Sequence, residues 1–297
     1  MSEDSLSLHL VELSPQMRQI QESALCGYFH GHSHVRTSNT REKDTHDQDP
    51  KKMYEHSAVN KYGQHVFWYS RIEDVPKGFS FYLAHEFFDA LPIHKFVKTK
   101  EEIWREILID INDQNNALRF VQANFPTAAL HTVNFDYNHA KNALEVSPKT
   151  GVMIQYISDC IDKFGGGALI ADYGDNDATE DSFRAFKEHK LHDVLTDPGS
   201  ADLTADVDFS YIRRNCSEHT LFYGPVTQNK FLKSLGIEIR YSKLKESGVI
   251  DSKDLDTAYH SLTDENKMGS RFKFCSIFPK TMQTIHEKYP PAGFENK

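Results

Sequence analysis

The stretch GGALIADYG, Gly166–Gly174, runs almost wholly apolar from Ala168 and ends on Asp172 and Tyr173. A short continuous apolar run between a helix and a turn is the pattern of a central strand buried on both faces. The helix before it opens at Glu145-Val-Ser-Pro148, covers Val152 to Lys163, and stops at Gly165-Gly166-Gly167. A second strand ends the same way. In FSFYLAHEFFDALP, Phe79–Pro92, the apolar residues Phe81 to Ala84 give way to His85, Glu86 and Asp89 before Pro92 stops the run. A third lies between Leu6 and Leu13 and ends near Glu12. There Ser14-Pro15 fits an N-cap followed by proline at the first helical position, opening a helix through about Leu25.

Strands alternating with helices predict an α/β fold with a doubly wound, mostly parallel sheet. Open sheets of this kind bind ligands at the carboxyl ends of their strands, and here three such ends carry acids. The remaining segments are read around that frame. Residues 30 to 60 are polar and aperiodic, which predicts a loop. Val66 to Tyr69 is a short strand, and Val75 to Gly78 a turn. HKFVKT, IWREILIDIN and ALRFVQA predict antiparallel strands within 92–150, a β-rich insertion. Residues 175–225 read as a long polar insertion with short helical stretches. After it come a helix near Gln228 to Leu235, a strand IEIRYSKL, and a last strand from Phe272 to Phe278.

Bulk composition narrows the function classes. The 297 residues carry 34 Lys plus Arg against 43 Asp plus Glu, a formal net charge of -9. That balance argues against non-specific nucleic-acid binding, which needs a basic face. The four cysteines, Cys26, Cys160, Cys216 and Cys275, lack CxxC spacing and read as reduced thiols, with no metal site among them. No run of about 18 apolar residues is present to span a membrane. The start, MSEDSLSLHLVELSP, has the pattern of neither a signal peptide nor an Arg-rich transit peptide.

The acids admit more than one role. Glu12 could accept both ribose hydroxyls of a nucleoside cofactor, or simply cap the following helix. His85, Glu86 and Asp89 could hold an amine or guanidinium and take its proton, or form a polar exit from the sheet. HKLHDVL, His189–Leu195, and ADLTADVDFSYIRR, Ala201–Arg214, concentrate His, Asp and Thr. Asp202, Asp206 and Asp208 could recognise a basic peptide or hold a metal, though their spacing lacks the glycine and glutamate of an EF-hand; helix caps at Asp202 and Asp208 are the plainer reading for at least one of them. His30, His32 and His34 alternate, a pattern that more often marks an exposed loop than a metal site.

LAHEFFDALPIHKF with Trp104-Arg-Glu downstream, then GGALIADYG, HKLHDVL and ADLTADVDFSYIRR, in that order, resemble the mitochondrial complex I assembly factor 7 family. The likeness runs from about His9 to Phe278 and breaks only in the 30 to 60 loop. It implies a Rossmann-like, S-adenosyl-L-methionine-dependent methyltransferase fold across 1–297, its sheet mostly parallel with antiparallel and helical insertions, 175–225 lying on the substrate side. It implies symmetric dimethylation of an arginine on a complex I core subunit, during complex I assembly in the mitochondrial matrix. Glu12 would bind the cofactor ribose, and Glu86 and Asp89 would be catalytic, Glu86 holding the guanidinium. His85, Asp172, Tyr173, His192 and Asp206 would bind substrate. Family members carry a glycine-rich loop upstream of HLVELSP, and residues 1 to 30 hold no GxG. The first strand of the core and half the cofactor pocket are therefore expected to be missing from this chain, and a non-catalytic scaffold role in complex I assembly is the alternative.

Overall fold

The computed structural model describes residues 6–27, 54–132, 142–177 and 180–295. Contacts divide the chain into two compact units, Met1–Lys77 and Gly78–Lys297. The alternating histidines at 30 to 34 lie outside the described residues.

The first unit holds β1 (Leu8–Val11), α1 (Pro15–Cys26), β2 (His56–Val59) and β3 (His65–Tyr69). The expected start signal operates: Ser14 Oγ accepts the Met17 amide and Pro15 opens α1. β1 pairs parallel with β3, and β2 antiparallel with β3 on its other side. Alternation turns Val66 and Trp68 inward, where they pack with Cys26, Leu8 and Leu10. β2 falls inside the stretch read as loop. Four residues, one of them histidine, carry no apolar alternation, and pairing to β3 forms the strand.

The second unit begins with β4 (Ser80–His85). β5 (His94–Lys98), β6 (Trp104–Ile111), β7 (Leu118–Gln122), α2 (Ala128–Thr132) and β8 (Ala143–Val146) follow. The strands form one antiparallel sheet in the order β7-β6-β5-β8, packed on Phe96, Leu144 and Val146. β8 was not foreseen, because ALEV runs straight into the helix signal at Ser147.

α3 (Pro148–Phe164) carries Ser147 as cap, its Oγ accepting the Thr150 amide, and stops at Gly165. Ile154, Ile157 and Ile161 share one face and are buried. Ser147→Ala is expected to cost about 1 kcal/mol, read as a lower urea midpoint with an unchanged slope.

β9 (Gly166–Asp175) is the central strand, with β4 parallel on one side and β15 (Phe272–Pro279) antiparallel on the other. Between them in sequence lie β10 (Arg184–Lys187), β11 (Lys190–His192), β12 (Asp202–Thr204), β13 (Val207–Asp208), α4 (Phe209–Asn215) and β14 (Thr220–Thr227). The polar 175–225 segment thus holds several short strands beside one short helix, α4. β10 pairs with β11 and β12 in a separate small sheet, and β13 joins the end of β9. Strands this short, mostly exposed on both sides, carry no apolar alternation to read.

The C-terminal part adds α5 (Gln228–Ser234), α6 (Ile237–Ser247), α7 (Ser252–Thr263), α8 (Met268–Arg271) and, after β15, α9 (Gln283–Lys288). α6 corrects the strand expected at IEIRYSKL. Ile237, Tyr241 and Leu244 recur at helical spacing, and Gly236 enters the left-handed region at its start. Tyr241 stacks on Tyr259 of α7 and donates to Asp256, which also accepts Lys245. Beneath these helices Phe231, Phe272, Phe274 and Phe294 form the core, Phe231 stacked on Phe274 with centroids 4.1 Å apart.

Two glycines fix β9 at its ends. A Cβ at Gly166 (φ +103°) would lie 1.9 Å from the Ser80 carbonyl oxygen, and one at Gly174 (φ +151°) 2.0 Å from that of Val207. Among the described residues no helix is long and apolar enough to cross a membrane.

Candidate active site

Because β4 and β9 run parallel in register, with His85 beside Ala171, both carboxyl ends reach the same edge. The Glu86 amide donates to the Ala171 carbonyl at 3.0 Å, and Glu86 then takes a left-handed backbone, φ +47°. The chain turns through Phe87, Phe88 and Asp89. Glu86 is exposed and Asp89 half-buried.

Asp89 is tied to the 175–225 insertion. Its Oδ2 accepts the Thr204 hydroxyl at 2.8 Å, and its carbonyl accepts the Ala205 amide at 3.0 Å. Burial pushes the Asp89 carboxyl above its ordinary range and neighbouring Asp202 adds to this, against the opposing Thr204 bond.

Asp172 sits one strand over with no exposed surface. Its Oδ2 accepts the amides of Phe88 at 2.9 Å and Phe87 at 3.2 Å, with Asp89 N at 3.4 Å; Oδ1 accepts the Tyr173 amide at 2.9 Å. Burial first, then the Asp89 charge, push its carboxyl up to about 7. Unfolded, it would titrate near 3.9, so between about pH 4 and about pH 7 the folded state keeps a proton the unfolded chain has lost. This group therefore makes stability fall as pH rises through that window, levelling above it. Asp172→Asn is expected to flatten that fall, measured as urea midpoints at about pH 5 and about pH 8. A midpoint falling as steeply as in the parent would contradict it.

Tyr173 stands edge-on to Phe272. Burial, then the charges of Glu86 and Asp89, raise its phenol, so the hydroxyl stays a neutral donor. His85 is exposed, its ring 5.5 Å from that of Phe272. Asp206 already lies between two arginines, Arg184 at 2.6 Å and Arg271 at 3.7 Å. His192, in β11, is opposite Ala185 and lies on the far side of β10 from β12. A cavity of about 230 Å³ adjoins the loop through Phe88 and is lined also by Glu145, Asp206, Asp208, Tyr211 and Arg214.

The structure thus brings Glu86, Asp89, Asp172 and Tyr173 together, with Asp206 nearby through Arg184, whose charge also acts on Asp89. An exposed acid, a half-buried acid and a phenol at one strand edge suit a cationic ligand. Thr204, Arg184 and Arg271 were not foreseen, since no local spacing joins them to residues 86–89. Among the described residues no group of three or more His, Cys, Asp or Glu could hold a metal.

Glu12 lies in the first unit, just past β1. Each of its carboxylate oxygens has one donor: the Ser14 amide at 2.9 Å on Oε1 and the Gln21 amide group at 3.3 Å on Oε2. One lone pair per oxygen is left to accept from a diol.

Three comparisons bear on this geometry. The family model for S-adenosyl-L-methionine-dependent methyltransferases matches residues 1–225. The chain is 44% identical over 295 residues to the mitochondrial protein arginine methyltransferase NDUFAF7 of Xenopus laevis, covering 97% of this chain and 64% of that protein. Its identity to the protein of the same name from Danio rerio is 42% over 302 residues, covering 99% and 68%. In fold it matches a COG1565 superfamily protein of Burkholderia thailandensis with a TM-score of 0.60, at 21% identity, over 78% of this chain and 59% of that one. A second crystal structure from that organism, of a COG1565 member bound to S-adenosyl-homocysteine, matches at a TM-score of 0.59, at 21% identity, over 78% and 57% of the two chains.

Proposed function

Because the chain belongs to the S-adenosyl-L-methionine-dependent methyltransferase family, we propose that it transfers a methyl group from that cofactor to an arginine of a protein substrate. The observation that carries this reading is the exposed Glu86 beside the half-buried Asp89, at the adjoining carboxyl ends of β4 and β9. The names of the relatives support arginine as acceptor and the mitochondrion as location. The chain spans 64% of the length of the Xenopus laevis relative, and the reading concerns the part it contains.

Arginine stays charged at any physiological pH, and its delocalised guanidinium is a poor nucleophile. Glu86 accepts two of its N–H groups and aims a third nitrogen outward, which fixes orientation before reaction. Its charge offsets the positive charge that builds on the guanidinium as the nitrogen bonds to carbon. Asp89, with its raised carboxyl, takes up the proton the nitrogen releases. When bound, the cofactor supplies an electrophilic methyl on a sulfonium sulfur. Glu12, holding one free lone pair on each oxygen, would accept the two hydroxyls of its ribose. The product is symmetric dimethylarginine on a complex I core subunit of the mitochondrial matrix, made during assembly of that complex.

Incubating the chain with methyl-labelled cofactor and matched arginine and lysine peptides tests the reading. Label is expected on arginine alone, with symmetric dimethylarginine identified by mass spectrometry. Label on lysine, or on neither peptide, would count against it.

A further inference from the structure

We infer that Asp172 is the positioning residue of the Glu86 loop: its buried carboxylate gathers the loop amides and thereby sets where Glu86 points. The inference rests on the reading of Glu86 as the guanidinium-holding acid, and concerns what holds that acid in place.

Asp172 touches nothing outside the fold. It has no exposed surface, so a substrate cannot reach it. One oxygen faces the loop and collects Phe88 N at 2.9 Å and Phe87 N at 3.2 Å, with Asp89 N at 3.4 Å. The other is held by the amide that follows it, Tyr173 N at 2.9 Å, which fixes the carboxylate plane. Successive amides converging after a left-handed residue form a concave site for an acceptor oxygen, and here Asp172 supplies it from the next strand.

The loop's two ends are secured differently. Asp89 has two further ties to the insertion, Thr204 Oγ1 on its side chain and Ala205 N on its carbonyl. At the other end, Glu86 leaves β4 through a single amide bond to Ala171. Glu86 is not glycine, and its left-handed conformation persists only where surrounding contacts demand it. Those contacts are the amides of the next residues on Asp172. Phe88 is also buried, so with the carboxylate gone its amide would lack a partner and the turn would reopen. Removing Asp172 should therefore displace Glu86 and leave Asp89 near its place.

Hydrogen exchange on the full chain, with methyl transfer to an arginine peptide measured alongside, tests this. In Asp172→Ala the amides of 87–89 are expected to exchange at least a hundredfold faster, while those of Ile170 and Phe274 keep their protection. Transfer by that variant should show a raised KM for peptide and a lowered kcat. Asp172→Asn, which still offers one oxygen to the loop, should hold exchange within tenfold of the parent and recover most of the transfer. Unchanged exchange at 87–89 in Asp172→Ala would overturn the inference, as would failure of Asp172→Asn to restore protection. Should the alanine variant not fold, exchange in Asp172→Asn decides: acceleration spread evenly over the sheet, not centred on 87–89, would overturn it. The exchange arm reads loop geometry and stands even if the parent methylates no arginine, so the two readings fail separately.

Discussion

Glu86→Gln is expected to lower methyl transfer to an arginine peptide by about 10²- to 10³-fold, the scale seen when one preorganised charge-stabilising group is removed. Glutamine keeps the length of the side chain and one acceptor oxygen. It puts an NH2 group where the second acceptor stood, facing a guanidinium that can only donate. Bidentate hold and negative charge are lost together, so kcat should fall along with peptide affinity. The side chain is exposed, and glutamine tolerates the φ of +47° no worse than glutamate, so the urea midpoint should stay put. Rates on arginine peptide and the midpoint, measured on one preparation, separate chemistry from folding. Transfer at the parental rate would remove Glu86 from the reaction.

Gly166→Ala should be the most damaging single substitution for stability, at about 3 kcal/mol or more. Two causes act at one atom. At φ +103° an L side chain is strained in any surroundings, and the added Cβ would lie 1.9 Å from the Ser80 carbonyl oxygen. That oxygen belongs to the backbone of β4, so relief requires parting β4 from β9. Set against a typical total of 5–15 kcal/mol, such a loss would show as poor soluble yield and a much lower urea midpoint. Gly63→Ala is the control: its φ is +80° and nothing lies within 4 Å, so it reports backbone strain alone. Equal losses at both positions would show that the packing at Gly166 is not what matters.

The methyltransferase fold expected from the chain's motifs is the fold of the solved structures it matches. Its frame was legible where sequence signals are local. Ser14-Pro15 and Ser147-Pro148 open helices because cap and proline act within one turn, and Ala168–Tyr173 is a strand because burial on both faces leaves a continuous apolar run. The strand misread at Ile237–Leu244 shows the limit. Its alternating Ile, Ile and Tyr satisfy the strand pattern, and the Tyr241–Asp256 and Tyr241–Tyr259 contacts with α7 are distant in sequence. The acids at the strand ends were visible, but their exposure was not. Asp172 and Glu86 look alike as acids after apolar runs; one has no exposed surface and the other faces solvent. Thr204 reaches Asp89 across 115 residues, so only the assembled insertion shows the pairing.

Gly166 and Gly174, each pressed against a neighbouring backbone, anchor the two ends of β9 unequally. A strand anchored at one end can absorb an inserted or deleted residue by sliding. At the Gly174 end β9 cannot, since a one-residue slip drives Tyr173 or Asp175 against the Val207 backbone, whereas at the other end Gly165 or Gly167 would take the place of Gly166. The same slip would also reverse the faces between them and turn Asp172 away from Phe87 and Phe88. Substitutions at the middle of β9 can be graded, one methyl at a time. Deletion scanning should therefore find the Gly174 end intolerant of a one-residue shift, while a change of length is taken up at the Gly165–Gly167 end.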